Sequence, residues 1–497
     1  MKWAWMWRGA RVSWILLFTL MLSTSGATPW SGAILPGSQP VVFHPAWSDV
    51  ELVSLGETPP TQGQCAAINR RCFNPQAEQT SYNLTPLLAA GHQGQGETII
   101  IVDSFGSETI RHDLKVFNNA FGLPHMCGEE NTPAGCTGPT FSELQQGNTS
   151  TNPPPPGSHG TGQENRSIWA IEVTLDVEWA HSMAPLANIL LVTTPTAETL
   201  GVQGFPDFFN AEEDVINAHL GSVISQSFAA AEETFHQGTA ALLNLRHAFE
   251  AAQANRVTVF GSSGDFGTAN ILKTPVKNPT LIPFPTVEWP ASDPLVTAVG
   301  GTYECTNATT GAGVDNVSPP PNCQVTPGVR EIGWVASGGG FSHVFARPAF
   351  QDTLPPGSTS IPATQRGVPD IGIQASSRTG VLIYITNPGY STNVHDNGWY
   401  VIGGTSSGSP QWAGLIAVAN EMNGGVPLGY INPALYAIAS DPAKYAADFY
   451  DVTTGNNQTN AAVPGYPATR GWDPVTGLGT PNAAHLLPDL IEYVNSH

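Results

Sequence analysis

Residues 399 to 419 read WYVIGGTSSGSPQWAGLIAVA, and the rest of the fold can be worked out from this stretch. An apolar strand, a Gly-rich corner and an apolar helix follow one another, which predicts that Ser406 lies at a helix N-terminus and faces solvent. Free backbone N–H groups and the positive end of the helix dipole favour negative charge there, which suits a nucleophile that attacks a carbonyl. An isolated serine in this position is more often an N-cap. The catalytic interpretation therefore depends on the other polar residues of the chain.

Strands and helices alternate before this stretch. Continuous apolar runs predict buried strands over residues 98–103, 189–192, 223–227 and 257–260. Helical patterns occupy residues 107–120, 167–181, 209–219 and 232–254. This alternation predicts an α/β fold with a mostly parallel central sheet and helices on both faces. Ligands bind at the carboxyl ends of parallel strands, where we expect Ser225, Gly261 and Gly403.

The start of the chain has the pattern of a signal peptide over residues 1–27, with a basic beginning, an apolar run and small residues up to Ala27. The apolar run is too short to span a bilayer, and no later stretch is long and apolar enough. We therefore expect a secreted, extracellular protein with no membrane partner after signal removal. The remainder divides into an N-terminal extension over residues 28–79, rich in Pro, Gly and Ser, and one large domain over residues 80–497.

The net charge of the chain limits which classes of molecule can be its binding partners. The chain has 18 Lys and Arg residues against 39 Asp and Glu residues, so we expect neither nucleic acid nor an anionic membrane surface as a partner. An acidic chain with few charges overall also suits a protein that works at low pH. The six cysteines form three close pairs in sequence, which predicts local disulfides, although six cysteines allow 15 connectivities. These pairs are Cys65 with Cys72, Cys127 with Cys136, and Cys305 with Cys323.

Two carboxylates lie four residues apart in the predicted helix that precedes Pro185. The spacing of Glu172 and Asp176 puts both on one helix face. Their like charges repel, so at least one pKa should be raised, as suits a general base backed by a second acid. A solvated helix face is the plain alternative, but the aromatic neighbours Trp169 and Trp179 argue against it.

A third candidate is Asp265, in the Gly-rich turn GSSGDFG at residues 261–267. This turn follows a predicted buried strand and would bring the Asp265 side chain to the rim of the site. The plain alternative is a turn aspartate that accepts backbone hydrogen bonds. Two further aspartates, Asp451 and Asp473, lie in loops near the C-terminus, where carboxylates and backbone carbonyls could bind calcium or simply form turns.

In combination, these residues resemble the sedolisin family, the serine-carboxyl peptidases, which share the subtilisin fold but have glutamate in place of histidine. The resemblance covers roughly residues 80 to 497. It is carried by Glu172 with Asp176, by the turn before Asp265, by Val299-Gly300-Gly301-Thr302, by Ser337-Gly338-Gly339-Gly340, by Pro369-Asp370 and by Gly404-Thr405-Ser406.

The resemblance implies a role for each of the four side chains. Ser406 would be the nucleophile, Glu172 its general base and Asp176 the acid that orients Glu172. Asp265 would donate to the oxyanion together with the backbone N–H of Ser406. The implied activity is hydrolysis of peptide bonds in protein or peptide substrates by an acid-acting serine-type peptidase.

The resemblance also implies one structural Ca²⁺ ion. Its ligands would be two carboxylates and three backbone carbonyls, from Asp451, Val452, Thr469, Gly471 and Asp473. Thr469 stands where the family usually has glycine. The family's substrate-binding strand maps onto residues 223–229, with Ala229 in place of a usual glycine, and residues 337–340 could also line the cleft. Residues 28–79 are too few for the family's usual long prodomain.

Acid activity also follows from elementary chemistry. A carboxylate has a reference pKa near 4.3, about two units below histidine, so it can accept a serine proton productively only in acid. Asp265 must be protonated to donate to an oxyanion. Activity should therefore fall as the pH rises through the pKa of Asp265.

Two alternatives stay open. His159, in the sequence HGTG at residues 159–162, resembles the histidine motif of subtilisins, and Asp103, His159 and Ser406 occur in the subtilisin order. However, His159 lies in a loop rich in Pro, Ser and Gly with no apolar helix directly behind it. The other alternative is a catalytically silent relative that binds peptides. A monomer is the default expectation, and the sequence does not distinguish an endopeptidase from a tripeptidyl-peptidase.

Overall fold

The computed structural model describes most of the chain after residue 43. The described residues are 44–45, 49–146, 163–195, 205–235, 238–273, 280–317, 319–387 and 394–497. They lie in one compact unit, Ile34–His497. The predicted signal peptide over residues 1–27 and the loop that contains His159 lie outside the described residues. Within the described part, no helix has the length and apolar character needed to cross a membrane.

The centre of the fold is an eight-stranded sheet. Its strands in chain order are β1 (Thr98–Ser104), β2 (Phe141–Gln145), β3 (Asn188–Thr194), β4 (Val223–Gln226), β5 (Thr258–Ser262), β6 (Thr297–Glu304), β7 (Glu331–Gly333) and β8 (Ile371–Gln374). The spatial order is β7, β6, β5, β4, β1, β3, β2, and β8 pairs with β6. The strand pairs of this sheet are parallel, with the exception of β6 and β7. This confirms the predicted subtilisin-like α/β fold class.

Helices cover both faces of the sheet. The longer ones are α1 (Ile110–Phe121), α2 (Gln163–Met183), α3 (Phe205–Asn217), α4 (His247–Ala254), α5 (Gly408–Met422), α6 (Asn432–Ser440) and α7 (Ala483–Ser496). Because side chains alternate along a strand, Ile99 and Ile101 of β1 pack in one cluster with α2 and α5. Ile100 and Val102 pack in another cluster with α3 and α4.

Shorter helices complete the helical part of the described chain. The α-helical ones are Gln62–Ala67, Pro75–Ser81, Thr85–Ala89, Thr239–Leu243, Pro321–Val325 and Pro442–Asp448. The 3₁₀ turns are Glu232–Thr234, Ala349–Asp352 and Thr405–Ser407. The prediction of one helix over residues 232–254 is wrong, because three separate elements occupy it. Gly238, with φ of +76°, directly precedes the middle one and cannot continue a helix from the residues before it.

A second sheet of four strands lies beside the first. Its spatial order is Asp49–Leu55, Gly398–Gly403, Thr379–Ile385 and Arg71–Phe73. The predicted strand before Ser406 is therefore present. We had expected Gly403 to end a strand of the central parallel sheet, but it ends a strand of this second sheet. An apolar run predicts a buried strand but does not say which sheet buries it. Two of the four strands come from the N-terminal extension, whose boundary at residue 80 stays a prediction.

The remaining strands are short. Phe228–Ala231 pairs on one side with Glu288–Trp289 and on the other with His44–Pro45. The other antiparallel pairs are Ile271–Lys273 with Thr280–Leu281, Gly340–Phe341 with Gly367–Val368, and Phe449–Tyr450 with Thr480–Pro481. The three predicted disulfides are confirmed as local pairs, Cys65–Cys72, Cys127–Cys136 and Cys305–Cys323.

Helix α2 is enclosed on both sides, unlike a surface helix. Val173 and Val177 face the main core with Trp412 of α5, whereas Ile171 and Leu175 pack against strands of the second sheet. The two helices α2 and α5 approach closely at Gly414, where an added Cβ atom would lie 2.6 Å from Cβ of Met183. Glycine at this position therefore sets the distance between the helix that carries Glu172 and the helix that follows Ser406.

We expect Gly414→Ala to lower the free energy of unfolding by about 1 to 3 kcal/mol, since overpacking a well-packed core costs this much. Urea unfolding monitored by circular dichroism measures the change. Gly63→Ala is the matched control, because Gly63 is also helical and has only the Thr61 hydroxyl nearby, at 3.8 Å. Equal stability of the two variants would contradict the close approach at Gly414.

Candidate active site

Ser406 lies in a tight turn between the second sheet and α5. Gly404, with φ of +127°, leads into the 3₁₀ turn Thr405–Ser407, and α5 begins at Gly408. The expectation that Ser406 faces solvent is wrong, because the residue is fully buried. The hydroxyl of Ser227 donates a hydrogen bond of 3.4 Å to the carbonyl of Ser406, so the segment after β4 lies directly against the turn. Among the described residues, Ser406 Oγ has no hydrogen-bond partner.

Glu172 and Asp176 lie one turn apart on α2 and are both fully buried. Burial raises the pKa of Glu172 well above its usual range, and the nearby charges of Asp176 and Asp103 raise it further. The Ser406 hydroxyl acts in the opposite direction and lowers this pKa, so serine and glutamate face each other. The contact is outside hydrogen-bonding geometry, and neither carboxylate oxygen of Glu172 has a partner among the described residues.

Asp176 is held by a hydrogen bond from the residue that follows β4. Ser227 Oγ donates a hydrogen bond of 2.9 Å to Asp176 Oδ1. Burial, followed by the charge of Asp103, raises the pKa of Asp176, while the bond from Ser227 lowers it. Ser227 was not among the site residues predicted from the sequence. Its position as a polar residue directly after the buried strand β4 was the signal that could have revealed it.

A third buried carboxylate, Asp103, lies at the next-to-last position of β1, near this pair. It is fully buried, burial raises its pKa, and both of its oxygens lack a hydrogen-bond partner among the described residues. In the sequence, Asp103 was a candidate only for a subtilisin-type triad with His159, which lies outside the described residues. The structure instead places Asp103 near enough to raise the pKa values of Glu172 and Asp176.

Asp265 approaches the Ser406 turn from the carboxyl side of β5. The backbone N–H and the hydroxyl of Thr405 donate to Asp265 Oδ1 at 2.8 and 3.0 Å. The other oxygen, Oδ2, is buried and has no partner in the described part of the chain. Burial raises the pKa of Asp265 well above its usual range, whereas the two bonds from Thr405 lower it. In the protonated acid, the proton therefore belongs on Oδ2, where it is free to be donated.

The C-terminal aspartates form a separate polar site. Asp473 is buried, and its Oδ2 accepts a hydrogen bond of 2.9 Å from the Thr469 N–H. Asp451 Oδ1 accepts bonds of 3.1 Å from the Gly471 N–H and 3.0 Å from the Tyr445 hydroxyl. Burial raises the pKa of Asp473 to about 7, and the nearby charge of Asp451 raises it further.

This second site has only oxygen donors. In the described residues, no cluster of three or more His, Cys, Asp or Glu side chains has the arrangement of a metal site. Two carboxylates would thus need backbone carbonyls to complete a coordination shell, and oxygen-only shells suit Ca²⁺ rather than zinc or copper. The turn that contains Thr469 and Gly471 is already folded around both carboxylates, so the donor set fits calcium.

Comparison with known proteins gives several relatives. No family model matches the chain. Kumamolisin from Bacillus sp. (strain MN-32) is 32% identical over 330 residues, which cover 64% of this chain and 50% of kumamolisin. Tripeptidyl-peptidase sed4 from Aspergillus fumigatus is 29% identical, covering 66% of this chain and 57% of that protein. Human tripeptidyl-peptidase 1 is 28% identical, covering 66% and 53%. The chain thus matches about half the length of these curated relatives.

A solved structure supports the fold independently. Pseudomonas sedolisin, a serine-carboxyl proteinase complexed with pseudo-iodotyrostatin, superposes with a TM-score of 0.62 at 24% identity. The superposition covers 86% of this chain and 99% of that chain. The chain is thus similar in sequence to kumamolisin and the tripeptidyl-peptidases, and it has the fold of a sedolisin, a serine-carboxyl proteinase.

Proposed function

We propose that this protein is a secreted, acid-acting serine-carboxyl peptidase that hydrolyses protein or peptide substrates. The observation that carries the proposal is the buried Ser406 hydroxyl, which faces Glu172. Asp176 backs Glu172 on the same helix, and Asp265 contacts the residue next to Ser406. A serine between a proton acceptor and a proton donor is the arrangement that acyl transfer requires.

In the proposed reaction, Ser406 Oγ attacks the carbonyl carbon of the scissile peptide bond. Glu172 takes the hydroxyl proton as the Oγ–C bond forms, then gives it to the leaving amine as the C–N bond breaks. Water attacks the resulting ester by the same route, and the product acid is released. Asp176, held by Ser227, orients Glu172 and shares the proton that Glu172 acquires.

Asp265 would stabilise the oxyanion. Thr405 occupies Oδ1 through two hydrogen bonds, so the protonated Oδ2 is the atom that can donate to a developing negative charge. The backbone N–H of Ser406 would be the second donor. Once Asp265 is ionised, it would repel the oxyanion that it had stabilised.

The direction of the pH dependence follows from these two groups. Glu172 accepts a proton only when ionised, so activity rises as the pH rises through its pKa. Asp265 donates only when protonated, so activity falls as the pH rises through its own pKa. Burial raises both pKa values above the usual range of carboxylic acids, so both limbs shift upward from the reference pKa near 4.3 that the sequence suggested.

The finer properties are also proposals. Three local disulfides agree with folding in an oxidising compartment, which supports export. One structural Ca²⁺ would be held by carboxylates of Asp451 and Asp473 and by carbonyls of Val452, Thr469 and Gly471. When bound, the ion would neutralise the two carboxylates and hold the C-terminal turns together.

For the general base, we expect Glu172→Gln to reduce kcat by at least about 100-fold, because the amide cannot accept the serine proton. Hydrolysis of denatured casein from pH 2 to 8 provides the measurement. Glu57→Gln, at an exposed position, and His159→Ala should leave the rate and its acid optimum unchanged. Loss of activity in His159→Ala with retention in Glu172→Gln would overturn the proposal and support the subtilisin-type alternative. A wild type that neither cleaves casein nor reacts through Ser406 with a peptide aldehyde would be a silent relative.

For the oxyanion donor, we expect Asp265→Ala to lower kcat by about 100- to 1,000-fold with little change in KM, the usual cost of one lost donor. Asp265→Asn should retain more activity, because its amide oxygen can accept the two bonds from Thr405 while its NH₂ group donates. The Asn variant should also lose the fall in activity that accompanies rising pH, since an amide does not ionise. An unchanged alkaline limb in Asp265→Asn would exclude Asp265 as the group that sets it.

For the calcium site, we expect millimolar CaCl₂ to raise Tm by about 5 °C in the Ser406→Ala background, since a ligand that binds only the folded state stabilises it. Differential scanning calorimetry with CaCl₂ or EDTA measures the shift. Adding Asp473→Asn should abolish the increment, whereas adding Asp396→Asn, at an exposed position, should preserve it. An equal increment in both variants would place any bound calcium elsewhere.

A further inference from the structure

A side chain, and not another strand, completes the hydrogen bonding along one edge of β8. Successive residues of a strand point their backbone groups to alternate edges, so the N–H groups of Gly372 and Gln374 share the edge that faces away from β6. The Gly372 N–H donates a hydrogen bond of 2.9 Å to the carbonyl of Gly479. The Gln374 N–H donates one of 2.9 Å to the hydroxyl of Tyr82. The Tyr82 hydroxyl thus takes the place of a strand carbonyl at the end of β8.

Tyr82 is itself fixed in this position. It caps the C-terminus of the helix Pro75–Ser81, and its side chain is fully buried. Its hydroxyl donates a hydrogen bond of 2.9 Å to Oε1 of Glu331, the first residue of β7. Burial, followed by the charges of Glu304 and Glu331, raises the pKa of Tyr82, so the hydroxyl stays a donor throughout the acid range. One hydroxyl therefore joins β7 to the end of β8.

The end of β8 contacts the Ser406 turn at two points. Ser407 Oγ donates to the carbonyl of Gln374 at 2.8 Å. The N–H of Gly404 donates a hydrogen bond of 2.6 Å to the carbonyl of Ala375. These two contacts lie on either side of the nucleophile along the chain. A displacement of the end of β8 would therefore move the Ser406 hydroxyl relative to the carboxylates of α2.

We propose that Tyr82 is a positioning residue for the hydrolysis, because its hydroxyl fixes the end of β8 and, through Gln374, the turn that carries Ser406. The inference rests on the proposed function and adds to it a residue that acts through Gln374 and Ser407 and not on the reacting atoms. Proton transfer and attack depend steeply on geometry, and a misplacement of about 1 Å can cost about 100-fold in rate. Loss of one supporting hydroxyl should cost less than that.

The first test is Tyr82→Phe, which removes the hydroxyl and retains the ring. We expect kcat to fall by about three- to ten-fold with KM within about two-fold, because the geometry of the reaction is disturbed and substrate binding is not. Both limbs of the pH–rate profile should stay in place, since the groups that titrate in the reaction are unchanged. Hydrolysis of denatured casein from pH 2 to 8 measures all three quantities. A kcat within two-fold of the wild type would overturn the inference.

Tyr436, on α6, provides a matched control. Its buried hydroxyl donates to Asp370 Oδ1 at 3.0 Å and accepts from the Gln351 side chain at 2.8 Å, so it also joins a carboxylate and an N–H group. Asp370 directly precedes β8, and this hydroxyl therefore supports the opposite end of the same strand. Tyr436→Phe should lower Tm about as much as Tyr82→Phe, by about 1 to 4 °C, but leave kcat within about two-fold. Equal losses of kcat would show a general effect of stability and contradict the inference.

Ser407→Ala tests the same connection from its other end, since it removes the bond to Gln374. It should also reduce kcat by about three- to ten-fold, and an unchanged kcat would overturn the inference even if Tyr82→Phe did not fold. Because both substitutions act through one connection, their effects should not be additive in free energy. The double variant should be no more than about two-fold slower than the slower single variant, and losses that multiply would contradict the inference.

Hydrogen exchange separates this inference from the proposed function, because it does not depend on catalysis. In a Ser406→Ala background, exchange at pH 5 is followed by mass spectrometry of peptides. Tyr82→Phe should accelerate exchange about ten-fold in peptides that contain Gln374 or residues 403–409, whereas Tyr436→Phe should leave residues 403–409 unchanged. Unchanged exchange of this turn in Tyr82→Phe would overturn the inference whether or not the enzyme cleaves peptides. An inactive wild type with the accelerated exchange would reject the peptidase proposal and support the attachment of the turn to Tyr82.

Discussion

Burial of carboxyl groups beside one serine is the constraint on which the rest of this structure depends. Glu172, Asp176 and Asp103 are all removed from water, and an isolated buried carboxylate is far more costly than a neutral acid. Among the hydrogen bonds of the described residues, only Ser227 donates a side-chain bond to any of the three. The low-energy state of the cluster is therefore largely protonated. Such a cluster favours the folded state in acid and disfavours it as the pH rises.

The enclosure that creates this burial also explains the architecture. Helix α2 can carry buried acidic side chains only because it is covered on two sides. The central sheet and α5 cover one side, and the four-stranded sheet covers the other. The latter sheet includes Gly398–Gly403, the strand that leads into the Ser406 turn, and pairs it with Asp49–Leu55 from the N-terminal extension. The N-terminal extension is thus part of the four-stranded sheet that leads into the Ser406 turn. Its strands complete the sheet that packs against Ile171 and Leu175 of α2.

Much of this arrangement was accessible from the sequence, and the limits have physical causes. Apolar runs predicted the strands β1, β3, β4 and β5, and the spacing of Glu172 and Asp176 predicted a shared helix face. The second sheet was missed because periodicity reports burial and not the partner that supplies it. The burial of Ser406 and the contacts of Ser227 depend on segments far apart in the chain. The hydrogen bond from Ser342 to Glu232 joins residues 110 positions apart in the sequence, and no local sequence pattern carries information over that separation.

Buried acids with raised pKa values also occur outside the group of Glu172, Asp176 and Asp103. Glu78 lies buried on the helix Pro75–Ser81 and meets Glu304 of β6, and burial followed by that neighbouring acid raises its pKa. Burial also raises the pKa values of Glu212 and Glu288 to about 8. In each case the folded state binds a proton that the unfolded chain would release above about pH 4, so each group favours the fold in acid and disfavours it as the pH rises. The net charge of −21 suggested an acid-tolerant surface. The buried acids add a contribution from the interior, where their protonation favours the folded state as the pH falls.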